Sequence, residues 1–274
     1  MRDIFETCYL DYVGLGHFEP ELFRNPTEKN SKDYRDPDSY CEELYDDLMK
    51  IYESKFKSLG FTISKNKGEY TLWMDKNNLS YTMSSDYIGP SRAFAKEVGI
   101  ADSEVGDYLR KTRVIGGHTL WPVQYREDNR NTIVITGRGG TINTQKGGNK
   151  GFCDRIDCTL QDLKNFYDSK SNDEYKLKAF EKYKNWLSLF GNFNTFIDFF
   201  YLNDFCDSDY RVFDLKSYNS QKDSYETFIC DGYKEISNYK ISNKEEYELY
   251  ILGCTSAILK RQVRIKQYFG KQNR

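Results

Sequence analysis

Histidine is scarce in this chain and its cysteines are scattered, which removes the commonest metal sites. Two histidines occur among 274 residues, and no His-x-x-x-His spacing is present. The seven cysteines include no Cys-x-x-Cys pair. A closed zinc site needs four ligands, usually grouped at short spacings. The sequence therefore predicts no metal site, and it names no cofactor.

Several other signatures are missing. No Gly-x-Ser-x-Gly elbow indicates a Ser-His-Asp hydrolase, and no Gly-Lys-Ser/Thr indicates a P-loop. No apolar run approaches the roughly 18 residues of a membrane span, and the first residues lack the apolar core of a signal peptide. An odd number of scattered cysteines is typical of reduced thiols. We therefore expect a cytoplasmic protein without a membrane segment.

Neither sign of charge is in excess, since 40 basic and 42 acidic residues leave a net charge of −2. A balanced chain has no bulk attraction to nucleic acid, so a nucleic-acid partner is not expected. The local exception is the C-terminal segment, which has no acidic residue after Glu248. Its cations either complement the negative pole of a terminal helix or contact phosphates. They are Lys260, Arg261, Arg264, Lys266, Lys271 and Arg274.

Aromatic residues are abundant, at 16% of the chain with 23 Tyr and 18 Phe. Such large side chains bury enough area for a folded core, so the chain is expected to be globular. Exposed aromatic side chains are also typical anchors of protein interfaces. The same surplus therefore fits a protein that binds other proteins.

Apolar periodicity predicts a sheet-rich first half. A helix is predicted from about residue 39 to 58, opened by a capping box at Ser39 and ended by Gly60. Three short segments separated by turn formers predict an antiparallel meander at 61–64, 70–74 and 79–83. Short helices are expected near 91–97 and 102–109, with strands at 112–120 and 132–136.

From residue 152 the apolar period changes to that of helices. Helices are predicted over 152–167, 177–190 and 244–268, while 206–243 is loop with weak strand. The fold class expected is α+β, with an antiparallel sheet-rich N-terminal half packed with a helical C-terminal half. One enlarged domain over 1–274 is expected, which could divide into a sheet-rich part, 1–151, and a helical part, 152–274.

The first candidate site surrounds Gly116 and Gly117, which interrupt the strand expected at 112–120. Glycine inside a strand marks a bulge or a close approach to the backbone. A bulge here would bring Arg113 and His118 onto the same face, although their spacing of five otherwise separates them. That pairing would put a guanidinium beside a candidate acid/base. The alternative is a structural histidine and a surface ion pair.

The second candidate site is the glycine loop 147–151 and the helix start after it. Free backbone N–H groups before a helix can hold an anion, so Lys146, Gly147 and Arg155 are candidate phosphate ligands. Asp154 and Asp157 lie on one helix face and could orient a cation or a hydroxyl. Acidic residues in a first turn also stabilise a helix whatever its function, and this alternative stays open.

A third candidate follows the meander, where Ser84, Ser85 and Asp86 are adjacent. Ser-Ser-Asp at the end of a strand commonly forms turn hydrogen bonds. Ser85 and Asp86 are also candidate ligand-binding residues.

These clusters resemble an uncharacterised bacterial family, a domain of unknown function. The resemblance spans roughly 24–205 and rests on Asp36–Tyr40, Met83–Asp86, Thr112–His118 with Trp121–Pro122, Thr141–Asn143, Asp154–Leu160 and Phe196–Phe200. It implies that the polar clusters belong to one architecture, so Asn143 joins the candidate ligand-binding residues. Members tend to carry Ala-Arg-Gly where this chain has Gln145-Lys146-Gly147, which keeps the charge but loses the guanidinium fork.

Two functions follow from these features. The first is an enzyme or sensor for a nucleotide-like or other phosphate-bearing ligand, with a role in phage–host conflict. Arg113, Gly116, Gly117 and Arg155 would then hold the ligand, with His118, Asp154 and Asp157 as catalytic residues. For this function, Arg113, His118 and Arg155 are expected in one cleft. The second is a non-catalytic interaction protein, an inhibitor or assembly subunit, that uses aromatic surface patches.

Overall fold

The computed structural model describes residues 3–13, 41–66, 68–127, 133–136, 155–168, 180, 183–228, 241 and 243–272. Within these residues the fold is α+β, with eight α-helices and a four-stranded antiparallel sheet. The sheet lies in the N-terminal half, as predicted. The described residues from 155 onward are helical or irregular, which fits the predicted helical half.

The first long helix follows a short one, α1 (Leu10–Val13), and forms where it was predicted. This helix, α2, spans Glu42–Ser58 and begins after Cys41, whose Sγ accepts a hydrogen bond from the backbone N of Leu44 at 3.4 Å. Gly60 follows the helix with φ +92°, a conformation that glycine adopts without strain. The predicted helix is confirmed, with its start at Glu42, whereas Ser39 lies outside the described residues.

The predicted meander is confirmed and continues into a fourth strand. Its third strand runs on to Tyr87, so the turn expected at Ser84–Asp86 is wrong, because these residues pair with the fourth strand. The strands β1 (Thr62–Asn66), β2 (Glu69–Met74), β3 (Leu79–Tyr87) and β4 (His118–Pro122) pair in that order, all antiparallel. Asn78 adopts a left-handed conformation with φ +50° in the turn before β3, as expected for an Asn turn former. A separate hairpin joins β5 (Gln124–Glu127) to β6 (Ile133–Thr136).

Two helices connect β3 to β4, namely α3 (Arg92–Glu97) and α4 (Asp102–Thr112). Both were predicted, but α4 continues to Thr112, so the strand expected over 112–120 is wrong in its first half. The backbone N of Arg113 still donates to the carbonyl of Leu109 at 2.8 Å, and the Thr112 hydroxyl donates to the carbonyl of Tyr108 at 2.7 Å. A single 3₁₀ turn at 115–117 then leads into β4.

The second half contains α5 (Ile156–Tyr167), α6 (Lys184–Ser188), α7 (Phe193–Phe199) and the 29-residue α8 (Lys244–Gln272). The described residues between α7 and α8 form short turns and isolated β-bridges, as their weak periodicity predicts. Of the helix predicted over 177–190, the structure describes residue 180 and the part from 183 onward.

Buried aromatic side chains form the centre of the core. Phe56 of α2 contacts Trp186 and Phe199, with ring centroids 5.9 and 5.2 Å apart. Phe190 and Phe200 complete the group, with ring centroids 5.4 Å apart. Edge and tilted contacts between rings at such distances add to the stabilisation from area burial. The aromatic surplus of the sequence is therefore used largely in the core.

Arg261 of α8 connects this aromatic core to the sheet. Its guanidinium is fully buried and donates to the carbonyl oxygens of Tyr201 and Phe200 at 3.1 and 3.0 Å. It also donates to the carbonyl of His118 at 2.8 Å and to the Tyr52 hydroxyl at 2.9 Å. A residue predicted to be a surface cation is thus an internal hydrogen-bond donor.

Candidate functional site

The pairing of β3 with β4 brings two of the predicted clusters together. Asp86 lies opposite Thr119, and Tyr87 lies opposite His118. Ser85 and Asp86 are 8% and 9% exposed, and His118 is fully buried. We call Ser85, Asp86, Arg113 and His118 the β3–β4 cluster. Its members come from three separate parts of the chain, but side chains alternate along β3, so Ser85 lies on the face of Tyr87 and His118 whereas Asp86 lies on the opposite face of the sheet.

Arg113 and His118 meet at Tyr87, although the bulge proposed for Gly116 and Gly117 is wrong. Arg113 is at the end of α4, outside any strand, and its guanidinium carbon lies 3.5 Å from the centroid of the Tyr87 ring. The His118 ring centroid lies 5.3 Å from that of Tyr87. The guanidinium and the imidazole are therefore brought together by an aromatic ring rather than by a shift of strand register.

The glycine pair has a packing role in the described structure. A Cβ atom on Gly117 would overlap the carbonyl oxygen of Thr112, and one on Gly116 would overlap the carbonyl oxygen of Ile258 in α8. These glycines therefore permit the tight turn from α4 into β4 beneath α8. Their contacts are with the protein's own backbone, which accounts for them without a ligand.

The environment of His118 fixes its orientation. Nδ1 lies 2.8 Å from the carbonyl oxygen of Val114, so a neutral imidazole donates its proton there and holds the lone pair on Nε2. The ring is fully buried and lies edge-on to Tyr9, with centroids 6.3 Å apart. An acid/base role for His118 would require the ligand to reach this interior position.

Arg155 is held in a buried ion-pair network. Its Nε donates to Oδ1 of Asp157 at 3.0 Å, and its Nη2 donates to Oδ2 of the same carboxylate and to Oδ1 of Asp214 at 3.0 Å. Burial opposes the charged guanidinium, but the Asp157 carboxylate outweighs it and holds the pKa of Arg155 above its ordinary value. The guanidinium also lies over the Tyr250 ring, 5.1 Å from its centroid. We call Arg155, Asp157 and Asp214 the ion triad.

Asp157 has further partners that fix its position. Its Oδ2 accepts from the backbone N of Leu215 at 3.0 Å, and its Oδ1 accepts from its neighbour Cys158 at 2.9 Å. Burial and the Asp157 charge raise the pKa of Asp214, while Arg155 lowers it. The triad therefore joins the start of α5 to the 3₁₀ turn at Leu215–Ser217. Its one guanidinium pairs with both carboxylates inside the protein, which favours a structural role for Arg155 and Asp157 over a ligand-binding one.

Both polar clusters border α8. Burial raises the pKa of Tyr87 beside the β3–β4 cluster and of Tyr250 in α8 beside the ion triad. Cys254 Sγ lies 3.6 Å from the carbonyl oxygen of Ile88, the residue after β3. The sharing of one cleft by Arg113, His118 and Arg155 stays a prediction. Four other candidate residues lie outside the described residues, namely Asn143, Lys146, Gly147 and Asp154.

The basic end of α8 is paired with acidic groups of the same chain. Arg264 forms two hydrogen bonds with the Asp204 carboxylate, at 2.7 and 2.9 Å. Lys260 pairs with Asp223 at 2.6 Å, and Lys266 pairs with Glu6 at 3.0 Å. These contacts favour the structural interpretation of the segment over the phosphate-contacting one.

One face of α8 exposes aliphatic side chains that the sequence reasoning missed. Leu249, Leu252, Leu259 and Val263 are between 43% and 55% exposed, whereas Tyr247, Cys254 and Ile258 on the other face are fully buried. We call the four exposed residues the aliphatic stripe. Their spacing, with Ser256 between them, is the 3-4-3-4 repeat of a coiled-coil seam, a signal that was readable from the sequence.

A groove of about 850 Å³ runs beside the stripe, between α4, residues 218–223 and α8. Its walls are largely apolar, with Glu104, Asp107 and Asp223 among the charged residues that line it. Apolar lining residues include Ile100, Tyr108, Tyr218, Ile251, Leu252 and Leu259. A concave apolar surface that continues an exposed apolar helix face is typical of a site for a partner helix.

The described residues include free thiols but neither a group of metal ligands nor a membrane-spanning helix. The cysteines that the structure describes are free thiols, namely Cys8, Cys41, Cys158, Cys206 and Cys254. In the part of the chain that is described, no three His, Cys, Asp or Glu side chains are grouped to hold a metal ion. No helix among the described residues has both the length and the apolar character to cross a membrane.

Comparison with known proteins identifies the family. A family model described as a family of unknown function, DUF6994, matches residues 25–265. The chain belongs to the DUF6994 family. The resemblance drawn from sequence motifs is thereby confirmed at the level of a family of unknown function. Searches of curated proteins and of solved structures gave no match.

The DUF6994 match extends beyond the residues that suggested the resemblance. The motifs ended near 205, whereas the match continues to 265 and includes most of α8. The β3–β4 cluster, the ion triad and the aliphatic stripe all lie within it. The stripe is therefore part of the family region and not an appendage to it.

Proposed function

We propose that this DUF6994 protein is a non-catalytic interaction protein, an assembly subunit or inhibitor, that binds through the aliphatic stripe and its adjoining groove. The observation that carries the proposal is the concentration of exposed apolar side chains on one helix. Of the exposed large apolar residues among those described, five are on α8, and the two elsewhere are Tyr12 and Trp73. Contiguous exposed apolar surface in a globular protein commonly marks a binding site.

The polar candidate residues that the structure describes are buried or paired inside the protein, which supports the same proposal. The charges of Arg155 and Asp157 are compensated by buried partners, and His118 is fully buried. The glycine pair is explained by backbone packing. Among the described residues, the exposed apolar surface concentrated on α8 is mainly aliphatic, whereas the sequence suggested aromatic patches. A cytoplasmic location belongs to the proposal as well, because reduced thiols persist in that compartment.

Loss of the stripe should abolish partner binding without unfolding the protein. We expect the Leu252→Gln/Leu259→Gln double variant to recover at least about tenfold less of its co-purifying partners than wild type, since central apolar contacts each contribute about 1 kcal/mol or more. The measurement is quantitative mass spectrometry of tagged chains isolated from cells that also hold the untagged chain, so that an untagged second copy counts as a co-purifying partner. The melting temperature should stay close to that of wild type, because both leucines are about half exposed.

The matched control is Trp73→Gln, which removes an exposed apolar side chain from β2 instead of α8. We expect this variant to retain its partners. Equal recovery of partners by the wild type and by the double variant would reject the stripe as the binding surface.

A second candidate function is favoured by the β3–β4 cluster. Arg113 and His118 meet at the Tyr87 ring, and Ser85 lies on the same face of β3 as Tyr87, which is what a site for a phosphate-bearing ligand would need. Such a ligand would suit an enzyme or sensor in phage–host conflict. His118 is fully buried, and Asp86 lies on the opposite face of the sheet, so the candidate ranks second.

Ligand binding at the β3–β4 cluster should stabilise the native state. A nucleotide at about 100 times its dissociation constant should add about 2.7 kcal/mol to the free energy of unfolding. Thermal-shift measurements with mono-, di- and cyclic nucleotides would detect this change, and Arg113→Gln should remove it. An unchanged melting temperature with every nucleotide would leave only the interaction function.

A further inference from the structure

The aliphatic stripe has the geometry of a helix-pairing surface. Its residues repeat at a and d positions over two heptads, and such a narrow seam is more typical of helix pairing than of packing onto a globular core. From Leu249 to Val263 the stripe is about 21 Å long at the rise of an α-helix. The small Ser256 at its middle would let a partner helix approach closely.

We propose that the partner of the stripe is the stripe of a second copy of this chain, in antiparallel orientation. The inference rests on the proposed function, because it names the occupant of the same surface. Leu249 and Leu252 of one copy would contact Val263 and Leu259 of the other. A two-fold axis near Ser256 would make the contact self-complementary and closed, which is the commonest symmetry of soluble oligomers.

The charge distribution along α8 favours a second copy of the chain as the partner, and it favours an antiparallel orientation of the two helices. The first turns carry Glu245, Glu246 and Glu248, while the second half carries Lys260 and Lys266. In an antiparallel pair, the acidic end of one helix would lie beside the basic end of the other. A parallel pair would place like charges together, which is unfavourable. Lys260 and Lys266 retain 36% and 48% exposure despite their internal partners, so they can still contribute.

The groove supplies contact area that the stripe alone lacks. A stable interface buries about 800 Å² on each partner. Four aliphatic side chains bury less than this, but Leu252 and Leu259 also line the groove together with Tyr108 and Tyr218. Leucines of the second copy could enter this space, so α4 and residues 218–223 would add to the interface.

Sedimentation velocity of the full chain tests the association. Between about 1 and 100 µM, the range in which a modest interface dissociates, we expect the wild type to pass from monomer to dimer. Leu252→Glu should weaken the dimer at least about tenfold, because it buries a charge in the seam. Trp73→Glu introduces the same charge on β2 and should dimerise like the wild type.

Cysteine cross-linking tests the orientation. Leu249→Cys and Val263→Cys proteins are mixed and oxidised mildly, with wild type as the control for the native thiols. An antiparallel pair should give mixed Leu249→Cys/Val263→Cys dimers and few dimers of Leu249→Cys alone. A predominance of Leu249→Cys dimers, which indicates a parallel pair, would overturn the proposal.

A chain that stays monomeric at every concentration would also overturn it. That result would leave the proposed function standing if the stripe variants still lost their co-purifying proteins, because the occupant would then be another protein. The two failures are therefore distinguishable.

Discussion

Replacing Arg155 with alanine is expected to lower the free energy of unfolding by about 3–5 kcal/mol. The substitution leaves two neighbouring carboxylates, those of the fully buried Asp157 and of Asp214, without the one guanidinium that pairs with both. An uncompensated buried charge costs far more than the pair contributes. Urea unfolding followed by fluorescence would measure the loss, and Arg155→Lys should recover part of it, since lysine keeps the charge without the two-pronged geometry.

Arg211 provides the matched control for this prediction. It also pairs with an aspartate, Asp207, at 2.6 Å, but its side chain is 61% exposed. Exposed ion pairs typically contribute less than about 1 kcal/mol, so Arg211→Ala should unfold at nearly the wild-type urea concentration. If Arg155→Ala were as stable as Arg211→Ala, the ion triad would not be a structural element, and a ligand role for Arg155 would regain support.

Replacing Arg261 with methionine is expected to destabilise the protein by a similar amount, about 3–5 kcal/mol. Methionine keeps much of the aliphatic volume, but it removes the Arg261 donor from the carbonyl oxygens of Gly116, His118 and Tyr201. The Phe200 carbonyl also loses Arg261 but keeps the Tyr52 hydroxyl as a donor. Each buried acceptor without a partner costs about 1–3 kcal/mol, partly offset because a buried charge is also removed. The midpoint of urea unfolding is the measurement.

Arg264→Met is the control for Arg261→Met, because it removes the same group from the same helix. Arg264 pairs with Asp204 but its side chain is 35% exposed, whereas Arg261 is fully buried, so the loss of Arg264 should cost clearly less than the loss of Arg261. Equal destabilisation by the two variants would contradict the assignment of Arg261 as the anchor of α8.

Local sequence signals were sufficient for most of the fold. Turn formers between short apolar segments predicted the β1–β2–β3 meander, and apolar periodicity predicted α2 and α8. The error at 112–120 has a local cause, since Thr112, Val114 and Ile115 are β-branched and suggest a strand. The chain instead extends α4 to Thr112, because the hydroxyl and backbone bonds to Tyr108 and Leu109 continue the helix.

The candidate site was harder to predict, because its contacts are distant in sequence. Asp214 lies 59 residues from Arg155, in a segment without clear periodicity, so nothing local predicted the ion triad. Arg261 belongs to a run of basic residues, and its burial depends on carbonyls 60 to 145 residues away. The aliphatic stripe was readable in principle, but the buried positions Tyr247, Cys254 and Ile258 accounted for the apolar period of α8.

Carbene footprinting tests the central claim, that the aliphatic stripe is the binding surface, most directly. The reagent labels exposed aliphatic side chains, and labelling is compared between the chain with its partners in freshly opened cells and the purified chain at high dilution. We predict that Leu249, Leu252, Leu259 and Val263 are labelled strongly at high dilution and are protected with partners present, while Trp73 is labelled equally in both. Equal labelling of the stripe in both samples, with protection near Tyr87 and the end of β3 instead, would contradict the account.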